Sequence, residues 1–308
     1  MRTVRYVNFW EGFDPSASHV GDWLTAAVGE HRVVPRVRMP VDIEVSSVKP
    51  FPSLVARAWA FAKARHNTHY SIQYREALSY GSPQYGGPSR RRIWYCGENI
   101  RVPMGYDLTL SCDIDDYAGS NVYAPFWLSR VDSGLTNRCA APRAQLIGDD
   151  LVRCRRVDQE RPHFCAVVIS NPHPLRIRAI SALSVLGKVD VFGRAMGRPI
   201  ADKQELLSNY RFSLVFENDL YPGYVTEKPF DAWAAGTVPL WWGDDAAGYL
   251  NPDALVNLAT LSSLAEFVEL VADLERDVHA RTRITQEPLL LRNYDHDPLI
   301  DRIRQLVD

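Results

Sequence analysis

The sequence predicts an α/β protein, and three observations carry that expectation. Apolar runs of strand length recur through the second half, at Phe164–Ser170, Arg211–Phe216 and Val238–Trp242. They lack the polar alternation of a half-exposed strand and read as strands covered on both faces. Helical stretches separate them, which implies parallel strands joined by crossover helices in a doubly wound sheet. At 308 residues the chain also exceeds what one core usually fills, so about two domains are expected.

Along the first half, Val4–Phe9, Val33–Val37, Ile43–Ser46 and Arg92–Cys96 read as strands, with a helical pattern over Ser53–Ala64. Residues 66–91 are polar, aromatic and rich in Gly and Pro, so a long loop or lid is expected there. Character changes near 130–160, where polar and basic residues show no periodicity; this is the expected linker between domains at 1–150 and 151–295.

In the second half the strand Phe164–Ser170 runs into a Ser170-Asn171-Pro172 turn and a helix over Leu175–Leu186. Lys188–Phe192 is the next strand, Ala201–Tyr210 a helix and Arg211–Phe216 the third strand. A helix over Glu227–Ala235 follows, with Pro229 in its first turn, where a missing N–H is harmless, and Gly236 at its end. Val238–Trp242 and Leu255–Leu258 complete the strands. Ser263 and Glu266 form a capping box before a helix with Leu264, Phe267, Val268, Val271 and Leu274 on one face. Ile300, Ile303, Leu306 and Val307 recur at helical spacing, so 296–308 is expected to be a helix that packs back on the first domain.

Composition excludes several classes. Lys and Arg number 35 against 37 Asp and Glu, a net charge of −2, so neither a nucleic-acid partner nor a polybasic membrane tail is expected. The opening MRTVRYVNFWEG alternates like a strand rather than a leader. No run approaches the roughly 18 apolar residues of a membrane span. Cys96, Cys112, Cys139, Cys154 and Cys165 show no CxxC spacing. They read as thiols of a reducing, cytoplasmic compartment. The alternative, a Cys154/His163/Cys165 metal site, lacks a fourth ligand. No G-x-G-x-x-G or P-loop follows any strand.

Chemistry concentrates at 216–228, FENDLYPGYVTEK, where a buried strand delivers an acid, an amide, a phenol, a hydroxyl and a lysine to the start of a helix. Open parallel sheets bind ligands at the C-terminal ends of their strands. Asn171 and Arg176 follow the first strand of this half, Glu217 and Asn218 the third, and Thr226, Glu227 and Lys228 open the next helix. Arg176, Lys228 and a helix N-terminus suit a diphosphate that leaves during reaction. Glu227 does not favour phosphate and would suit sugar hydroxyls. The plainer alternative is a capped helix with Glu227 complementing its dipole and Lys228 solvated.

The spacing F-E-N-x-x-x-x-x-Y-V-T-E-K resembles the signature of the α-1,3/1,4-fucosyltransferases, above all their bacterial branch. The following FDAWAAGTVPLWWGDDAAGYLNPDALVN is similar to the family's next helix, strand and loop. VVISNPHPLRIRAISAL and VDVFGR upstream, and IWYCGEN and YDLTLSCDIDDYAGSNVYAPFW in the first half, also resemble family segments. The resemblance covers about 92–275 well and 1–65 faintly.

It implies two facing Rossmann-like domains of the B-type glycosyltransferase architecture. It further implies inverting transfer of L-fucose from GDP-fucose to a hydroxyl of a glycan acceptor, by an α-1,3 or α-1,4 linkage to a GlcNAc- or Glc-type residue. Arg176, Asn218, Tyr224, Glu227 and Lys228 would hold GDP-fucose. Glu98 of the GEN tripeptide would be the catalytic base, with Glu227 the second catalytic carboxylate. No metal site is implied, and a divalent ion would at most stimulate.

Departures bear on the acceptor and on membrane association. Residues 66–91 look inserted. The heptad tail and basic C-terminus of some bacterial members have no counterpart, nor do the anchor and cysteine pairs of animal ones. Arg178 lies two positions from Arg176 and competes for its role. Asp113-Ile-Asp115 matches the D-x-D metal signature of the other glycosyltransferase architecture and reads here as a solvated turn. Two other functions stay open: a transferase of the same fold using another nucleotide sugar, and a non-catalytic nucleotide- or glycan-binding module.

Overall fold

In the computed structural model the chain divides into two units, each built on a wholly parallel sheet. The structure describes residues 1–9, 13–34, 39–48, 88–99, 105–135, 146–157, 160–169, 172–193, 197–198 and 200–308. The expected Ser53–Ala64 helix, Cys139, Asn171 and most of the 66–91 loop lie outside them.

Unit 1 comprises Met1–Ser129, Ser133–Gln145 and Asp295–Asp308. Its strands are β1 (Thr3–Val7), β2 (Arg32–Val33), β3 (Val41–Ser46), β4 (Ser89–Tyr95), β5 (Leu108–Ser111) and β6 (Asn121–Tyr123). They lie in the order β2-β1-β3-β4-β5-β6. Helix α1 (His19–Val28) starts where the Ser18 hydroxyl accepts the Gly21 N–H, and it buries Val20, Trp23, Leu24 and Ala27 at helical spacing.

β1 carries a charge into the core. Register sets Arg5 opposite Glu44 on β3. The Arg5 guanidinium, fully buried, donates from Nε and Nη2 to Glu44 Oε2 at 2.9 and 2.7 Å and from Nη1 to the Met39 carbonyl at 2.8 Å.

His19 sits edge-on to Trp23, Tyr95 and Phe126, with Nε2 2.8 Å from the Tyr95 hydroxyl. Burial, and then the charge of His296, pull its pKa from 6.5 down to about 3. Burial lowers His296 as well. Between these values the unfolded chain binds a proton that the folded one refuses. Stability is therefore complete above about pH 6.5 and falls as pH drops toward 3, by up to ~1.4 kcal/mol per unit for His19 alone. Urea midpoints at pH 7.5 and 5 should show this loss, and His19→Gln should flatten it.

Unit 2 comprises Arg130–Asp132 and Leu146–Tyr294. Strands β7 (His163–Val168), β8 (Val189–Phe192), β9 (Tyr210–Leu214), β10 (Val238–Trp241) and β11 (Val256–Asn257) alternate with α2 (Pro174–Leu183), α3 (Lys203–Leu207) and α4 (Lys228–Ala234). Helices α5 (Leu264–Arg276) and α6 (Val278–Gln286) close the unit. The order β11-β10-β9-β7-β8 places β9 beside β7, with chain connections leaving the pair in opposite directions. Such a switch point opens a crevice beyond the strand ends. Phe212, Leu214 and Phe216 pack into the main core with Val167, Leu240 and Val271. A smaller cluster holds Ala166, Phe192, Leu207, Tyr210 and Ala235.

The last helix, α7 (Asp297–Val307), belongs to unit 1. It buries Leu299, Ile300 and Ile303. The Trp23 indole N–H donates to His296 Nδ1 at 3.2 Å, and Arg304 donates to the Ala26 carbonyl, so α7 is tied to α1.

Several elements are shorter than their sequence patterns. The helix expected over Ala201–Tyr210 is only Lys203–Leu207, because the Asp202 carboxylate accepts the Glu205 N–H and fixes its start while β9 already claims Tyr210. The helix expected over Leu175–Leu186 runs over Pro174–Leu183: it begins one residue earlier, with the His173 ring accepting the Leu175 N–H, and ends three residues sooner.

Candidate active site

The 216–228 stretch leaves β9 at the switch point of unit 2 and returns as α4. It is pinned to the loop after β10. The Glu217 N–H donates to the Trp242 carbonyl at 2.9 Å and the Gly223 N–H to the Asp244 carbonyl at 3.0 Å. Gly223 has φ 83°, a left-handed value that favours glycine, so Pro222-Gly223 reverses the chain without strain.

Glu217 is the centre of this loop. Its residue is 0% exposed. Oε1 accepts the Thr226 N–H at 2.9 Å and the Trp241 indole N–H at 3.3 Å; Oε2 accepts the Thr226 hydroxyl and the Lys228 ammonium, both at 2.7 Å. The ammonium also donates to Thr226 Oγ1 at 3.0 Å. The stretch is thus folded around one buried carboxylate whose donors come from the loop, α4 and β10.

Arg176 reaches the same place from α2. Its Nη2 donates to the carbonyls of Phe216 at 2.7 Å and Glu217 at 3.1 Å and lies 3.5 Å from Asn218 Oδ1. Burial lowers its pKa from the ordinary guanidinium value, while Glu217 and Tyr224 oppose that shift. Arg178 is exposed and Arg176 buried, which separates the two competing arginines. Tyr224 is buried and Asn218 half-buried. Glu227 is half-buried at the N-cap of α4, with no capping bond from its side chain. Arg176, Asn218, Tyr224 and Lys228 are therefore drawn together around Glu217. Lys203 and Arg130, which sequence patterns did not single out, both pair with Asp231 of α4 at 2.7 Å.

Glu98 belongs to unit 1, in the turn directly after β4. It is exposed, while Asn99 beside it is fully buried. Its carbonyl accepts from Cys96 Sγ at 2.9 Å. A Cβ on Gly97 would stand 2.3 Å from the Phe126 ring, so only glycine lets this turn lie against Phe126. Glu98 thus stands, exposed, at the carboxyl end of a parallel strand.

The D-x-D segment differs from the expected solvated turn. Asp115 and Asp116 are exposed, but Asp113 is buried and accepts from the Tyr117 hydroxyl at 3.1 Å. Among the described residues no group of three or more His, Cys, Asp or Glu could hold a metal ion, and no helix is long and apolar enough to cross a membrane.

Residues 158–283 match the family described as "Glycosyltransferase family 10 (fucosyltransferase) C-term". The chain carries a family 10 domain. This domain contains Arg176 and the whole Glu217–Lys228 constellation. The chain is 28% identical over 208 residues to "Alpha-(1,3)-fucosyltransferase FucT" of Helicobacter pylori, matching 59% of the chain and 43% of that protein. It is 36% identical over 231 residues to "4-galactosyl-N-acetylglucosaminide 3-alpha-L-fucosyltransferase FUT5" of Homo sapiens, matching 69% of the chain and 55% of that protein. The chain thus spans about half the length of these curated relatives. A crystal structure of an α1,3-fucosyltransferase with GDP-fucose matches all of the chain and 90% of its own, with a TM-score of 0.68 at 18% identity. The same enzyme type with GDP gives 0.70. The family 10 domain and the unit before it share that fold.

Proposed function

We propose that this protein is a fucosyltransferase that moves L-fucose from GDP-fucose to a hydroxyl of a glycan, with inversion. The observation that carries the reading is the pairing of Arg176 and Lys228 around Glu217, at the sheet switch point of a family 10 domain. Two cations at the strand ends can stabilise the charge that grows on a departing diphosphate. The sugar carbon passes through an oxocarbenium-like state. The acceptor hydroxyl must lose its proton, and Glu98 is the carboxylate assigned to take it. Glu227 is assigned to the fucose hydroxyls, and Asn218 and Tyr224 to the donor beside Arg176.

The test is incubation with GDP-fucose and a glycan array, read by mass spectrometry, with a panel of other nucleotide sugars and an EDTA arm. A mass gain of one fucose, from GDP-fucose alone, supports the reading. Transfer from a different nucleotide sugar instead would replace the donor, and no transfer from any would leave a binding module.

Lys228→Ala should lower kcat/KM by at least ~10-fold, since a charge-assisted contact to phosphate contributes about 1.5–3 kcal/mol. Unchanged kinetics in the folded variant would mean that the lysine serves only Glu217.

A further inference from the structure

We infer that Glu217 is a positioning residue for the donor diphosphate, acting through Lys228; this rests on the donor reading above. A buried carboxylate beside a site for an anion is costly unless it is paired. Glu217 is fully buried and its Oε2 holds the Lys228 ammonium at 2.7 Å, with Thr226 Oγ1 completing a three-membered link at 2.7 and 3.0 Å. The backbone of Glu217 meanwhile accepts from Arg176. One residue therefore anchors both cations, the arginine by its carbonyl and the lysine by its carboxylate.

Two consequences follow from charge and order. A lysine side chain is long and loses considerable rotamer freedom when fixed. Fixing it before ligand arrives removes that loss from the binding step. The carboxylate also offsets one of the two positive charges, so the site attracts a diphosphate with a net charge of about +1 from these three groups rather than +2. That moderates the hold on the product after fucose has left. Removing Lys228 alone turns the same carboxylate into a repulsive charge beside the diphosphate.

The experiment is a double-mutant cycle on the full chain, with GDP affinity measured by calorimetry and folding by thermal melting. Glu217→Gln uncovers one positive charge but frees the lysine and sets an amide donor against donors. The loss of the fixed lysine should dominate and weaken GDP by about 5-fold or more, and Lys228→Ala should weaken it further still. The combined Glu217→Gln/Lys228→Ala variant should bind GDP more tightly than Lys228→Ala. That partial rescue is a sign that a purely structural residue does not give. Losses that simply add, or a Glu217→Gln variant with wild-type affinity, overturn the inference. Should Glu217→Gln not fold, Thr226→Val removes the hydroxyl that braces the pair from both sides, while sparing the carboxylate and its direct contact with Lys228. It should weaken GDP when Lys228 is present and cost nothing more in the Lys228→Ala background; equal losses in both backgrounds overturn it. A wild-type chain that binds no GDP overturns the donor reading itself and this inference with it.

Discussion

Glu98→Gln is expected to cut fucose transfer by at least ~100-fold while leaving GDP affinity near the wild-type level, since loss of a general base typically costs about 10²–10⁴ in rate. The substitution keeps size and polarity and removes only the ability to accept a proton. Glu98 stands exposed after β4 in unit 1, whereas Arg176, Asn218, Tyr224, Glu227 and Lys228, the residues proposed to hold the donor, belong to unit 2, and the substitution alters none of them. Calorimetry with GDP and a radiolabelled transfer assay on one preparation separate the two quantities. Normal transfer would move the base to another carboxylate. Glu217 is a poor successor because it is fully buried among its own four hydrogen bonds, which leaves Glu227. Loss of GDP binding together with transfer would mean that Glu98 holds structure rather than a proton.

Glu44→Ala is expected to destabilise the protein by about 3–5 kcal/mol, the usual result of breaking a buried ion pair from one side. Arg5 has no exposed surface and both Nε and Nη2 end on Glu44 Oε2. The desolvated guanidinium would lose its counter-charge while its Met39 contact persisted. Arg5→Met combined with Glu44→Leu should restore much of the loss, because two apolar chains of similar length need no partner. Urea unfolding of the three proteins measures this. A Glu44→Ala loss below ~1 kcal/mol would show that Arg5 is compensated elsewhere.

Much of unit 2 was legible because its strands are continuous apolar runs, and period-2 and 3.6 patterns need only local sequence. Even there, ends moved by one to three residues where a cap or a neighbouring strand decided the matter, as at Asp202 and Tyr210. The capping box at α5 formed on one side only. Ser263 Oγ accepts the Glu266 N–H, but the Glu266 carboxylate turns to Ser262 instead. β6 went unread because Asn121 and Tyr123 do not make an apolar run. Its place is set by the Asn121 side chain, which binds Thr109, Ser111 and the carbonyls of Asp113 and Asp115. At the site, Arg176, Asn218 and Lys228 could be named from residue type and position. The role of Glu217 could not, since its partners come from Trp241, Thr226 and Lys228 and meet only in three dimensions. One signal was present: Phe212, Leu214 and Phe216 alternate into the core, which turns Glu217 toward the opposite face, where α4 begins.

The return of α7 to unit 1 has a consequence for the order of synthesis. Unit 2 is nearly contiguous, and its one outlying piece, Arg130–Asp132, is made before the rest. Unit 1 is split, with Asp295–Asp308 translated after all of Leu146–Tyr294. At roughly 5–20 residues per second, a ribosome holds unit 1 without its last helix while the whole of unit 2 emerges. During that interval the α1 surface that α7 covers stays open to solvent or to a chaperone. Chains truncated at Tyr294 and released from the ribosome should therefore show a protease-resistant unit 2 beside a still-susceptible unit 1, although most of unit 1 is made first.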